Sequence, residues 1–213
     1  RYPRPQLKRD KWLSLDGEWR FKTEKAGEPD DPGKWESINV PYCPESELSG
    51  IVRRISAGDT MVYEREFSMP ADWKGSNVIL HFGAVDQTCK VFVNGEEVCS
   101  HEGGYLPFSA DITDGLSGEP TDTIRVEAKD SLDRKYPWGK QKADNGGMWY
   151  TPVSGIWQSV WIEPVAPTHI TDYNVVSCLK SKSIDVTVDA AGVQEGDVVK
   201  VFLLDGGIGY STE

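Results

Sequence analysis

The 213-residue chain is poor in metal-binding and redox side chains, with three histidines (His81, His101, His169) and four cysteines (Cys43, Cys89, Cys99, Cys178) that follow no CxxC or zinc-ligand spacing. Neither a metal nor another cofactor is therefore expected. No apolar run approaches the roughly 20 residues needed to span a bilayer, and no signal-peptide core follows Arg1-Tyr2-Pro3-Arg4-Pro5. Basic clusters are missing as well. Lys and Arg number 23 against 34 Asp and Glu, a net charge of −11, and the longest basic block is Arg53-Arg54. That balance excludes nucleic acid and anionic membranes as partners. Helical periodicity is scarce, apart from a short helical turn suggested near Glu45 to Gly50.

Alternation of apolar and polar residues recurs instead. Trp19 and Phe21 alternate with charges, Val78, Leu80 and Phe82 alternate with Ile79 and His81, and Ile124, Val126 and Ala128 interleave with Thr123, Arg125, Glu127 and Lys129. A period of two marks pleated strands with one buried face, so the pattern predicts an all-β fold. Cys89 to Val98 keep the rhythm around Asn94-Gly95, a pair that tolerates positive φ and predicts a type I′ hairpin turn. A two-residue turn there sets Val93 against Glu96 and Cys89 against Ser100, which sends Cys89 and Cys99 to opposite faces of the ribbon. They are expected not to bond to each other, and free thiols in a reducing, cytoplasmic setting follow. The connections Gly27 to Lys34, Pro41 to Gly58 and Leu132 to Gly147 are too irregular for a meander and suit a jelly-roll β-sandwich with functional loops.

The densest stretch is Gly146 to Trp161, where an aromatic loop runs into an alternating segment. Ile156 to Glu163 reads as one strand with Ile156, Val160 and Ile162 on one side and Trp157 and Trp161 on the other. Trp19, Trp157 and Trp161 are expected to fill the core or an interdomain contact. Trp149-Tyr150 sit in the loop, where flat aromatic faces suit the C–H face of a sugar ring; core packing uses the same residue types, and chemistry alone leaves both roles open. Most of the acids alternate with apolar positions or sit in turns, as in Glu64/Glu66 and Asp30-Asp31, the pattern of a solvated face.

Two prolines bracket a spacer at Glu163-Pro164-Val165-Ala166-Pro167, which predicts a domain boundary with residues 1–166 before it and 167–213 after it. Beyond it, Ile170 to Leu179, Ile184/Val186/Val188 and Val199/Val201/Leu203 supply about three strands, against the roughly seven of an immunoglobulin-type sandwich. The second domain reads as incomplete and the chain as part of a longer polypeptide. Bare strand edges in such a partial sandwich would favour pairing between copies into a homo-oligomer.

Trp12-Leu13-Ser14-Leu15-Asp16-Gly17-Glu18-Trp19-Arg20-Phe21 resembles the opening of the sugar-binding domain of glycoside hydrolase family 2. Val40-Pro41-Tyr42, Tyr63-Glu64-Arg65-Glu66-Phe67, His81-Phe82-Gly83-Ala84-Val85-Asp86, Val91-Phe92-Val93-Asn94-Gly95, His101-Glu102-Gly103-Gly104-Tyr105-Leu106-Pro107-Phe108 and Ser154-Gly155-Ile156-Trp157 continue the resemblance in the family's order. It covers most of residues 1–166, while 167–213 fit the following immunoglobulin-like domain by position and strand pattern.

The resemblance implies a jelly roll, a β-sandwich and then an (α/β)8 barrel, absent here, whose two glutamates perform retaining hydrolysis of β-glycosides. Such chemistry needs two carboxyl groups about 5 to 5.5 Å apart, and no pair in this chain is assigned to it, so no catalytic residue is named. The partners implied are a carbohydrate and the barrel in cis. Asp86 lies where such relatives place an amide or acid for sugar hydroxyls, a role that competes with turn capping. The loop Pro137 to Tyr150 is implied at the barrel's rim, with Lys140, Asp144, Trp149 and Tyr150 as its candidate sugar-facing residues. Some β-galactosidases carry a sugar- and cation-binding aspartate before the Met-Trp pair; here that position is Gly147, and Asp144 stands three residues away. Lys140 and Lys142 suit a uronic acid or plain solvent exposure. His101 to Tyr105 reads as a packing turn whose Tyr hydroxyl bonds a neighbour. An autonomous carbohydrate-binding module and a purely structural sandwich are the competing readings.

Overall fold

The computed structural model describes residues 1–25, 27, 34–205 and 208–212, and it divides into two compact units, Arg1–Pro164 and Val165–Glu213. The expected Gly27 to Lys34 connection, including Asp30 and Asp31, lies outside the described residues apart from its two ends. In chain order the strands of the first unit are β1 (Leu13–Ser14), β2 (Gly17–Lys25), β3 (Glu36–Val40), β4 (Asp59–Phe67), β5 (Asn77–Phe82) and β6 (Val85–Asp86). They continue with β7 (Thr88–Val93), β8 (Glu96–Glu102), β9 (Phe108–Asp111), β10 (Asp122–Lys129), β11 (Gly155–Ile156) and β12 (Val160–Val165). Helix is limited to single 3-10 turns among the described residues, and no helix is long and apolar enough to cross a membrane. One such turn, Glu47–Ser49, stands where the sequence suggests it, with the Ser46 hydroxyl accepting from Leu48 N–H and Gly50 closing it at φ +84°.

The all-β expectation holds. Sheet order is β1-β12-β5-β9 in one layer and β3-β2-β4-β10-β7-β8 in the other, so strands far apart in sequence, such as β1 with β12 and β4 with β10, lie side by side. These crossings make a sandwich rather than a meander. Trp19, Phe21, Met61, Tyr63, Val91, Ile124 and Val126 of the larger sheet bury their side chains in one core with Val78, Leu80, Phe82, Val160 and Ile162 of the smaller. Phe21 and Tyr63 are register partners with ring centroids 5.0 Å apart, a contact worth about 0.5–1.5 kcal/mol beyond its buried area.

The outer face of the smaller sheet is not bare. Tyr2 donates to Glu163 Oε2 at 2.6 Å, Arg9 Nε lies 3.1 Å from Oε1, and His81 Nε2 meets the same oxygen at 3.0 Å. His81 stacks on Trp161 with centroids 4.8 Å apart, so the N-terminal segment covers Trp161 within the first unit. Glu163 is almost fully buried, yet its carboxyl is held below its usual range: burial pushes it up, and the bonds from His81 and Tyr2, with Arg9 nearby, outweigh that.

Two details differ from the sequence reading. Asn94 and Gly95 do take positive φ, +50° and +89°, but β7 and β8 slip register beside Val91/Phe92, so Cys89 opposes His101 and Cys99 opposes Val91. The bulge absorbs one residue and brings Cys89 and Cys99 to the same face, both against the core. All four cysteines are free thiols. Ile156 to Glu163 is two strands, not one. β11 pairs with β6, whereas β12 joins β1 and β5, and the break at Trp157 to Ser159 follows a matching break at Gly83-Ala84. Gly83 N–H donates to Ser159 O at 2.9 Å, and a Cβ on Gly83 would lie 2.6 Å from that of Gln158, so only glycine allows this approach.

The second unit consists of a hairpin of β13 (His169–Cys178) with β14 (Ser183–Ala191) and another of β15 (Val201–Asp205) with β16 (Ile208–Thr212). In the first, Tyr173 opposes Val188 and Val175 opposes Val186 on one face, while Asn174/Thr187 and Val176/Asp185 occupy the other.

Candidate functional site

The paired break after β5 and before β12 creates the site. Beyond Gly83 the chain runs into β6, where Val85 points to the core and Asp86, by alternation, to the other side. Asp86 faces Gly155 across β6 and β11, and the next residue, Gln87, donates its N–H to Lys129 O at 3.2 Å and accepts from Gly103 N–H at 2.9 Å. Three segments thus converge on one carboxyl: the end of β10, the Ser154-Gly155 approach to β11, and the Gly103-Gly104 turn. A Cβ on Gly104 would sit 2.5 Å from Asp86 Oδ1, so glycine is required where this turn lies on the carboxylate. The Trp157 indole N–H donates to Gly104 O at 2.8 Å and holds the turn down.

Asp86 is only 8% exposed and accepts no hydrogen bond from any described residue. Its neighbours are acids. Ser154 links two of them, its hydroxyl donating to Asp130 Oδ2 at 3.2 Å and its N–H to Glu45 Oε2 at 3.3 Å. Burial first, then Asp130, then Glu45 push the Asp86 carboxyl from 3.8 up to about 7. Burial also raises Asp130 and Glu45, although Leu132 N–H and Ser154 favour the charge on Asp130, and Ser154 favours it on Glu45. Burial lifts the Cys43 thiol to about 11, and the fully buried Tyr63 hydroxyl higher still.

Asp86, Asp130 and Glu45 are exceptions to the solvated pattern expected of most of the acids. Glu45, Asp130, Ser154 and Gly104 escaped the sequence reading because they come from four separate segments. Trp157, expected as filler, is half-buried and positions the turn. Tyr105 lies exposed, edge-on to Trp157 at 6.1 Å, and among the described residues its hydroxyl bonds no neighbour. The resemblance pointed to Asp86; the signals that could have pointed to the rest are Gly83, Gly104 and Gly155, which mark close backbone approach.

The remaining candidates occupy the long loop between β10 and β11. Tyr150 N–H donates to Lys140 O at 2.9 Å and Lys142 N–H to Tyr150 O at 3.1 Å, which brings Lys140 and Tyr150 together through the backbone. Asn145 donates to Thr151 Oγ1 at 3.2 Å, and Arg54 clamps the loop through Ala143 O and Asn145. Tyr150 is 68% exposed, Lys140 and Asp144 are exposed, and Trp149 is half-buried with its ring 6.5 Å from that of Trp138. No hydrogen bond or ion pair among the described residues joins Asp86 to these four. Among the described residues, no group of three or more His, Cys, Asp or Glu could hold a metal ion.

Residues 51–165 match the sugar binding domain of the glycosyl hydrolases family 2. A beta-galactosidase of Thermoanaerobacter pseudethanolicus is 31% identical over 166 residues, 76% of this chain and 22% of that protein. A beta-glucuronidase of Paenibacillus borealis is 36% identical over 123 residues, 53% of this chain and 20% of that protein. The chain thus spans about a fifth of the length of these curated relatives. Among solved structures, Lactobacillus rhamnosus beta-glucuronidase superposes with a TM-score of 0.73 at 27% identity, covering 99% of this chain and 38% of that one.

Proposed function

This chain belongs to glycosyl hydrolase family 2, and we propose that it is the non-catalytic N-terminal region of a retaining β-glycosidase. In this reading residues 1–166 form the sugar-binding domain and 167–213 begin an immunoglobulin-like sandwich. The first domain supports an (α/β)8 barrel carried elsewhere in the polypeptide and lends its loop end to the rim of the carbohydrate pocket. The beta-galactosidase and beta-glucuronidase relatives support a β-glycoside as substrate.

The observation that carries the rim assignment is Asp86, a largely buried residue whose carboxyl oxygens keep access to solvent, accept no hydrogen bond from any described residue and have two further acids nearby. Such an arrangement costs stability, and packing alone does not call for it. A sugar ring supplies hydroxyls and ring oxygens that satisfy such a group in either protonation state. Around it, the exposed Tyr150 ring and half-buried Trp149 offer stacking faces, and Lys140 and Asp144 offer polar contacts.

The test is steady-state kinetics of the full-length protein bearing Asp86→Ala or Trp149→Ala. Each is expected to lower kcat/KM by about tenfold, the equivalent of one lost sugar contact of roughly 1.4 kcal/mol. Unchanged kcat/KM in both would refute the rim role. Calorimetry of the 213-residue chain with a panel of sugars is expected to give no binding; measurable affinity would favour an autonomous carbohydrate-binding module.

A further inference from the structure

We propose that Asn145-Gly146 is a self-modifying site, in which the Gly146 backbone nitrogen attacks the Asn145 side-chain carbonyl while the Arg54 guanidinium polarises that carbonyl, and that the carboxylate so formed resets how Arg54 holds the loop between β10 and β11. The inference is independent of the rim reading, since every group it uses lies in this chain.

The chain has five asparagines. Asn39, Asn77 and Asn174 are each followed by valine within β3, β5 and β13, where a branched side chain and an extended backbone keep the next nitrogen from the side-chain carbonyl. Asn94 and Asn145 are followed by glycine. Asn94 is fastened in the β7–β8 turn: its Oδ1 accepts from Thr123 N–H at 3.0 Å, and its Nδ2 donates to Gly115 O at 2.9 Å and to Asp122 Oδ1 at 2.7 Å. An acid on the amide nitrogen opposes the negative charge that builds as the carbonyl is attacked. At Asn145 the sign is reversed.

Arg54 donates to Ala143 O at 2.6 Å and to Asn145 Oδ1. The cation thus fixes the orientation of the amide and sets a charged donor on the oxygen where negative charge develops. Asn145 Nδ2 donates to the uncharged Thr151 Oγ1 at 3.2 Å. The attacking group is free to move: Gly146 N–H makes no hydrogen bond among the described residues, Gly146 is exposed, and a Cβ on it would meet nothing within 4 Å. Loss of the Gly146 N–H proton to water gives the nucleophile. The bond from Gly146 N to Asn145 Cγ forms, the Cγ–Nδ2 bond breaks as that nitrogen takes up a proton and leaves as ammonia, and water then opens the five-membered imide at one of its two carbonyls. Both products, an aspartate and an isoaspartate, carry a new carboxylate. The amide donor to Thr151 is lost in each, and the bond from Arg54 becomes a charged pair whose position differs between them, because the isoaspartate routes the main chain through the former side chain.

The test incubates the full-length protein at pH 8 and 37 °C and follows conversion at each asparagine by peptide mass spectrometry, with fragment ions locating the change and separating aspartate from isoaspartate. Asn145 is expected to convert at least about tenfold faster than Asn94. Gly146→Ala, which the open space at this position accommodates, is expected to slow conversion at Asn145 by at least about tenfold. Arg54→Ala is expected to slow it by at least about threefold, with Arg54→Lys, which keeps a cationic donor, in between. Amide hydrogen exchange in residues 143–150 is expected to quicken as wild type converts. Conversion at Asn145 no faster than at Asn94 overturns the site. If Arg54→Ala converts as fast as wild type or faster, Arg54 protects the amide instead of activating it and the proposed chemistry fails. Exchange that stays unchanged after conversion overturns the resetting of the loop.

Discussion

Replacing Asp86 by asparagine should make the protein's stability less dependent on pH, and the structure sets the size of the change. In the folded chain the carboxyl is pushed from 3.8 up to about 7 by burial, Asp130 and Glu45. The native state therefore keeps its proton over a window in which the unfolded chain has released it, and stability falls as pH rises through that window. Between pH 5 and pH 7 the loss is two pH units at about 1.36 kcal/mol each, or roughly 2.7 kcal/mol, and it levels off above pH 7. Asp86→Asn lacks this dependence. Its buried amide brings its own cost on the order of 1–3 kcal/mol, but that cost does not vary with pH. Urea denaturation of wild type and variant at pH 5 and pH 8 isolates the titrating part: ΔΔG should shift in the variant's favour by roughly 2.7 kcal/mol. In melting temperature that is about 5–10 °C for a domain of this size. A ΔΔG equal at the two pH values to within about 0.5 kcal/mol, or a shift of opposite sign, would refute the placement of Asp86 among unpaired acids.

Gly104→Ala drives a methyl group to 2.5 Å from Asp86 Oδ1 and should destabilise by about 1–3 kcal/mol, a loss partly recovered in the Gly104→Ala/Asp86→Ala double variant when the two are compared in a denaturation cycle. Trp157→Phe removes the donor to Gly104 O and should cost about 1 kcal/mol, with faster amide exchange confined to the 103–107 turn. At the opposite face, Glu163→Gln leaves Tyr2, Arg9 and His81 without their shared anion, and the N-terminal segment should become sensitive to limited trypsin digestion at Lys8 and Arg9. Because the Glu163 carboxyl lies below its usual 4.5, its contribution is complete above that value and is lost as the pH falls through the lower folded value. Wild type should therefore gain sensitivity of the same segment in strong acid, read with pepsin, which is active there, as cleavage near Leu7 and Trp12.

Much of the first unit was legible because its strands carry an unbroken period of two. Trp19/Phe21, Val78/Leu80/Phe82 and Ile124/Val126 all face the core as the alternation requires. Turn chemistry was legible too, since Asn94-Gly95 and Gly50 take the positive φ that their residue types favour. The errors arose where backbone irregularity changes the phase of the alternation. A bulge in β8 turned Cys99 to the side of Cys89, and the coupled breaks at Gly83 and Trp157 split one apparent strand into two that join different sheets. Neither event leaves a periodic trace, because each is stabilised by contacts to segments distant in the chain.

The candidate site divides along the same line. Residue order alone carries the strand content, the hairpin turn and the sandwich class, since these depend on neighbours within a few positions and on which side of a pleat a residue falls, while Asp86 became a residue of interest through the family resemblance. That Asp86 is buried, without a donor, and beside Glu45 and Asp130 arises only when positions 45, 86, 104, 130 and 154 meet at one end of the sandwich. Charge and desolvation act through space over a few ångströms, so the protonation of this carboxyl is a property of the assembled fold rather than of any stretch of the chain.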